Sequence, residues 1–331
     1  MEKGLRVGFL KPFVTDPIQV DGTWTDRDAV LFKQVLGLTE SLDRIAPYAP
    51  SGDPHKAKTQ EGTLEGLRES VQELSAGKDA LLIMGYRDIF YDDPSRLVPD
   101  TALIQGLDAQ LILVTRYHEI STSVYSILSV CSLLRERVKA VIVNHVPPQQ
   151  LGTAEGQLGP FFVQRRIPVG AILSEDLLLA CRSLGETLEV ADGELLCGEE
   201  GLGRPVAAMS VGSADLEGEL LVFKRVYNKI VLLEPPLAGV PAQEEPAPRA
   251  VAGILLTSGR TPPPMLIEAA RKARVVLALT RADTFSTLDR LERTPPFLSA
   301  GDEGKVRRLT ELLDQDGALH RLLHALGLRS P

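Results

Sequence analysis

The residues best placed to do chemistry are one lysine, two aspartates and one asparagine. Lys11 closes the apolar run 5–10 and precedes Pro12. A positive charge at a strand end can meet a phosphate or a carboxylate. Asp16 and Asp28 follow, and carboxylates are the ligands that a hard cation such as magnesium prefers. Asn144 closes a second apolar run, 139–143, and its amide offers a donor and an acceptor side by side. Each has a plainer account as well. Lys11 would be a surface lysine at a strand end, with Pro12 shaping the turn. Asp16 would stabilise a turn, Asp28 would support a helix start, and Asn144 would bond to loop backbone.

Other constellations carry less. The chain has five histidines, of which His320 and His324 stand four apart, the spacing of a helical metal pair. No Glu-x-x-His frame accompanies them, so they read as a solvated helix face. Ser258-Gly259-Arg260 lies between a strand and a helix and could cradle an anion, although a structural turn is the favoured reading. Asp283 and Thr284 read as a helix cap. Cys131, Cys181 and Cys197 form no CxxC pair, so neither a zinc knuckle nor a disulfide framework is indicated. Cys131 falls on an apolar helix face and reads as core. No Gly-x-x-x-x-Gly-Lys-Ser/Thr occurs: Gly77-Lys78 precedes Asp79, and Gly304-Lys305 precedes Val306.

These residues need elements to hold them. Apolar runs at 5–10, 79–85, 110–115, 139–144 and 167–173 are continuous rather than alternating, and helical patterns separate them. That is the pattern of a parallel sheet covered on both faces. A helix is expected to start at Thr25–Asp28 with Val30, Leu31, Val35 and Leu36 on its apolar side and Gly37 at its end. Another carries Leu64, Leu67, Val71 and Leu74. Further helices are expected over 122–135 and 159–164. The ligand of such a sheet belongs at the carboxyl ends of the strands, where Lys11, Gly85, Thr115 and Asn144 fall. A second α/β domain follows, with strands at 205–210, 229–233, 251–256 and 274–279. Residues 234–249, with five prolines, read as an exposed insertion. The tail 302–326 reads as helical, with Val306, Leu309, Leu312 and Leu313 on one side.

With 331 residues the chain is long enough for two domains. Hydrophobic residues make up 44% and charged residues 24%, ordinary values for a globular protein. The net charge of −8 argues against nucleic acid as a partner. The apolar runs are too short to span a membrane, and the first residues lack the apolar region of a signal peptide. The cytoplasm is the expected compartment.

A family resemblance now accounts for the order of these segments. Val7-Gly-Phe-Leu-Lys-Pro12, Asp26-Arg-Asp-Ala-Val-Leu-Phe-Lys-Gln-Val-Leu-Gly-Leu38, Gly77-Lys-Asp-Ala-Leu-Leu-Ile83, Leu113-Val-Thr-Arg-Tyr117, Val141-Ile-Val-Asn144 and Pro168-Val-Gly-Ala-Ile172 resemble the N-terminal region of long-form bacterial phosphate acetyltransferases. That region is a P-loop domain similar to dethiobiotin synthetase. Val206-Ala-Ala-Met-Ser210, Asn228-Lys-Ile-Val231, Ile254-Leu-Leu-Thr257 and Ala282-Asp-Thr-Phe-Ser-Thr287 resemble the DRTGG domain that follows it. The resemblance implies that Lys11 lies in a nucleotide site and that Asn144 reads an adenine edge. It also exposes departures. The P-loop should precede the lysine-proline strand. A Gly-Gly-Asp-Arg stretch should follow 230–233, where Glu234-Pro-Pro-Leu-Ala-Gly239 stands. Met84-Gly85 replaces a glutamate-glycine pair, and methionine can neither hold a hard metal nor act as a base.

The resulting expectation is a doubly wound α/β domain over 1–195, lacking its first strand and P-loop, and a smaller DRTGG-like domain over 196–331. The expected function is regulatory or ligand-sensing without catalysis, with no cofactor and with Lys11 and Asn144 as vestiges of a nucleotide site. An oligomer or partner protein should cover the sheet edge left by the first strand. The alternative is an ATP-dependent, magnesium-requiring synthetase or NTPase whose P-loop lies upstream of the assigned start.

Overall fold

The computed structural model describes residues 4–48, 59–86, 89, 98–212, 216, 218–223, 229–233, 250–298, 302–314 and 317–328. The chain forms two compact units, one running to Glu175 and taking in the segment from Glu311, the other Asp176–Thr310.

In the first unit, β1 (Val7–Leu10) leads into the hairpin β2 (Pro17–Val20) and β3 (Thr23–Asp26). Asp21 and Gly22 both have positive φ, 49° and 79°, the backbone that a two-residue hairpin turn demands. Next come α1 (Arg27–Leu36), α2 (Leu42–Ile45), α3 (Gln60–Ser75), β4 (Ala80–Ile83) and α4 (Asp100–Gly106). The rest of the unit is β5 (Leu111–Arg116), α5 (Ile120–Leu134), β6 (Val138–Val146), α6 (Leu151–Gln164) and β7 (Val169–Ser174). The mixed α/β reading with parallel strands holds. The strands do not form one continuous ladder, however: β1 pairs with β4, and β5, β6 and β7 form a separate parallel sheet. Just past β1, the chain is held by Lys11 N–H donating to Ile45 O and Val14 N–H to Tyr48 O. Among the described residues β4 and β5 each have one ladder neighbour. Leu82 and Val114, on these two strands, are 40% and 59% exposed, unusual for an inner parallel sheet.

Several helix expectations shift. Asp26, not Thr25, caps α1, and Phe32 rather than Val35 faces the core, stacked on Phe9 at 4.2 Å. Helix α6 begins at Leu151, because Gly152, Gly156 and Gly159 masked its helical period. The main core packs Ile127, Val130, Cys131 and Leu134 of α5 and Leu158 and Phe162 of α6 against Val141 and Val143 of β6.

The second unit contains α7 (Leu177–Ala180), β8 (Arg182–Ser183), α8 (Leu184–Val190), β9 (Gly193–Cys197), β10 (Pro205–Val206), β11 (Ala208–Val211), β12 (Lys229–Leu233), β13 (Val251–Leu256), α9 (Pro264–Lys272), β14 (Val276–Thr280) and α10 (Thr284–Arg293). Its sheet runs β11-β12-β13-β14-β9, with β13 and β14 parallel and the other pairs antiparallel. The division expected at residue 195 differs from the observed one for a physical reason. β9 is the edge partner of β14, and Leu184 and Leu188 of α8 pack with Ile230 and Leu255, so the second core starts well before residue 195. Residues 234–249 lie outside the described residues.

The tail forms α11 (Glu303–Asp314) and α12 (Ala318–Ala325). Leu313 and Ala318 pack with Ala171 and Leu173, which returns this segment to the first unit. Val306 and Leu309, which their spacing puts on one side of the helix, are 40% and 39% exposed, whereas Lys305 beside them is buried. Among the described residues no helix is long and apolar enough to cross a membrane.

Candidate functional site

The carboxyl end of β1 carries the site. Lys11, Pro12 and Phe13 are all buried, and Phe13 stacks on Tyr86 with ring centroids 5.3 Å apart. The Lys11 side chain is only 3% exposed, and its Nζ donates to Asp28 Oδ2 at 3.1 Å. Asp28 sits in the first turn of α1, where the positive end of the helix dipole favours a carboxylate. Lys11 and Asp28 are therefore brought together as an ion pair, buried at the lysine and half-open at the aspartate. A ligand oxyanion would compete with Asp28 for the ammonium.

Asp16 stands apart from that pair. Its Oδ2 accepts from Arg27 Nε at 3.0 Å, an exposed contact across the base of the hairpin. The residue that ties the loop together is Asp26, which sequence reasoning left unassigned. It is fully buried. Its Oδ2 accepts from the backbone N–H of Thr15 at 2.7 Å and of Asp16 at 3.1 Å, and its Oδ1 accepts from Asp28 N–H at 2.9 Å. One carboxylate thus closes the loop after Lys11 onto the start of α1. Its signal in the sequence was its place directly before Arg27-Asp28, one residue beyond the threonine chosen as the cap.

At the end of β4 the Met84-Gly85 pair has a structural explanation. Met84 packs with Phe9, Ala29 and Ile45. Gly85 faces Asp100, the first residue of α4; a Cβ at Gly85 would lie 2.9 Å from Asp100 Oδ1. Tyr86 N–H donates to Asp100 Oδ2 at 3.1 Å. Asp100 is buried and is a second carboxylate that the sequence did not single out.

Asn144 lies in β6, in register with Arg116 of β5. Its Oδ1 accepts from the backbone N–H of His145 at 2.8 Å, and its carbonyl accepts from Tyr117 N–H. Among the described residues no hydrogen bond or ion pair links it to Lys11, Asp16 or Asp28. His145 has φ 60°. Burial holds its imidazole below the ordinary range, Arg116 pushes it the same way and Glu175 opposes them. The acceptor face of the Asn144 amide is thus engaged by its own turn.

The second unit holds a buried ionic cluster far apart in sequence. Lys305 Nζ donates to Glu186 Oε1 at 2.7 Å and lies 3.8 Å from Asp302 Oδ2. Glu186 stands three residues after its N-cap Ser183, whose Oγ accepts from Glu186 N–H. Burial pushes the Glu186 carboxyl up; Lys305 pulls it down and Asp302 adds to the rise. The loops after β13 and β14 are joined by Ser258 N–H to Ala282 O and Gly259 N–H to Thr280 O. Ser258-Gly259 is therefore a structural turn, with φ of 68° and 64°. Asp283 caps α10 through Ser286 N–H, as expected. The three cysteines are free and buried. Among the described residues no group of three or more candidate side chains could hold a metal.

Residues 1–179 match the AAA domain family and residues 186–294 match the DRTGG domain. The chain is similar to the phosphate acetyltransferase of Synechocystis sp., with 23% identity over 358 residues, which cover 98% of this chain and 48% of that protein. It therefore spans about half the length of that relative. The matches bear out the resemblance to the N-terminal region of phosphate acetyltransferase.

Proposed function

Because the chain belongs to the AAA domain family over more than half its length, we propose that it is a regulatory or ligand-sensing relative of the N-terminal region of phosphate acetyltransferase, acting without catalysis. The observation that carries this reading is the Lys11–Asp28 pair. The cation that would meet a phosphate is buried and already holds an internal carboxylate at 3.1 Å. Asn144 supports the same reading, since its acceptor oxygen is turned onto His145 N–H. In this reading Lys11 and Asn144 keep the positions of a nucleotide site without its use, Asp16 and Asp28 serve the loop and the helix, and no cofactor takes part.

The finer fold is part of the proposal. In this reading the edges of β4 and β5, each without a second ladder neighbour among the described residues, flank a single slot in a doubly wound sheet, the place of the strand that carries a P-loop. No Gly-x-x-x-x-Gly-Lys-Ser/Thr occurs within residues 1–331. A second copy of the chain, or a partner protein, covers that slot.

One observation favours the second reading, an ATP-dependent synthetase or NTPase. Lys11 and Asp28 stand together at the carboxyl end of a parallel strand, where a lysine could take a phosphate and a carboxylate could take magnesium. Calorimetric titration of the full chain with Mg-ATP separates the two. The regulatory reading expects no heat of binding, and micromolar affinity would overturn it. Translating the frame upstream of Met1 is a cheaper check. A glycine-rich loop ending in Gly-Lys-Ser or Gly-Lys-Thr within about 30 residues, one strand-loop-helix unit, would favour the enzyme.

A further inference from the structure

We propose that a cavity at the amino ends of β6 and β7 binds a small organic oxyanion: a carboxylate or phosphate carried on a short apolar body. The cavity has a volume of about 410 Å³, within the range of about 300–1,000 Å³ that small-ligand sites occupy. Ala140, Pro168 and Val169 form its apolar floor, and His320, Arg321 and His324 of α12 line its other side. None of the lining residues is acidic.

Helix α12 sets this arrangement. Ala318 and Leu322 are buried and seat the helix on the sheet. Gly170 allows that close approach, because a Cβ there would lie 2.4 Å from Leu322 Cδ2. His320 and His324, one turn apart, then share a side of the helix beside the floor. Neither imidazole has a hydrogen-bond or ionic partner among the described residues. Arg321 Nε donates to Gly170 O at 3.3 Å, which fixes the guanidinium at the cavity. Two unengaged imidazoles and an anchored arginine over an apolar floor complement an oxyanion with a short hydrocarbon part. The histidine spacing also suits a metal, but the arginine between them opposes a cation, and among the described residues no third metal ligand joins them. The site is distinct from the one at Lys11 and stands whether or not that one binds nucleotide.

The test titrates the full chain with sodium propionate and, separately, with inorganic phosphate. Affinity is read by calorimetry, and the His320 and His324 imidazole signals by NMR, assigned through H320Q and H324Q. Saturable binding of either probe, with both signals moving together, supports the site, and the tighter probe identifies carboxylate or phosphate as its chemistry. The H320Q/H324Q double variant, at an unchanged melting temperature, should weaken binding about tenfold or more. Ala325→Phe, which narrows the cavity from the helix side without touching a donor, should do the same. The proposal fails if neither probe saturates, if the double variant binds as tightly as the parent, or if zinc binds more tightly than both anions and competes with them.

Discussion

At the scale of single residues, two buried carboxylates organise their surroundings in opposite ways. Asp26 meets three backbone N–H groups and is fully spent on holding the loop after Lys11. Glu186 shares one ammonium, that of Lys305, with Asp302. Burial disfavours the charged form of the Glu186 carboxyl, and the neighbouring Asp302 adds to that, while Lys305 opposes both. Since the folded Glu186 carboxyl is raised by burial, the folded state binds more protons than the unfolded one in the window between the two values. Stability must then fall as pH rises through that window, which opens near the unfolded glutamate value of about 4.3. Urea unfolding of the second unit across pH 4–7 should show this decline, and Glu186→Gln should flatten it while lowering stability overall. An unchanged pH slope in the variant would remove Glu186 as its source.

At the scale of elements, close approach rather than propensity decides what packs. Helix α12 is short, with eight residues, and would be marginal alone. Its place on β7 depends on Gly170 having no side chain. Gly170→Ala puts a methyl within 2.4 Å of Leu322 Cδ2, so the helix must shift or the leucine must leave its rotamer. The expected cost is about 1–3 kcal/mol. Hydrogen exchange should report it as lost protection over residues 318–325, with β5 and α5 unchanged. The β2–β3 hairpin, which the sequence expectations did not include, turns on Val20-Asp-Gly-Thr23.

At the scale of the whole molecule, the edges of β4 and β5 that stay open among the described residues pose the main physical question. Parallel strands that, among the described residues, have a ladder neighbour on one side only and that expose Leu82 and Val114 are a template for association. If a second copy covers them, sedimentation at tens of micromolar should give a dimer or larger species. Leu82→Lys with Val114→Lys should return it to monomer with the far-ultraviolet circular dichroism unchanged. A parent chain that stays monomeric throughout would leave coverage to a different protein.

Much of the fold is legible in the amino-acid sequence. Continuous apolar runs between helical patterns determined the α/β class, because a strand covered on both faces has no polar side to show. Ordered short motifs determined the kinship with the N-terminal region of phosphate acetyltransferase. The end of the first apolar run located Lys11, directly after β1, since backbone period and turn residues are local properties; Asn144, expected to end its strand, lies inside β6, which runs on to Val146. What tertiary structure alone decided was the partner of each group. The pairing of Lys11 with Asp28, the three bonds of Asp26, the contact of Gly85 with Asp100, and the meeting of Glu186 with Lys305 across 119 residues all depend on through-space distance. The same holds for His320 and His324. By spacing they read as a solvated face, and both are exposed; what the seating of α12 on Gly170 adds is an apolar floor beside them that no local pattern encodes.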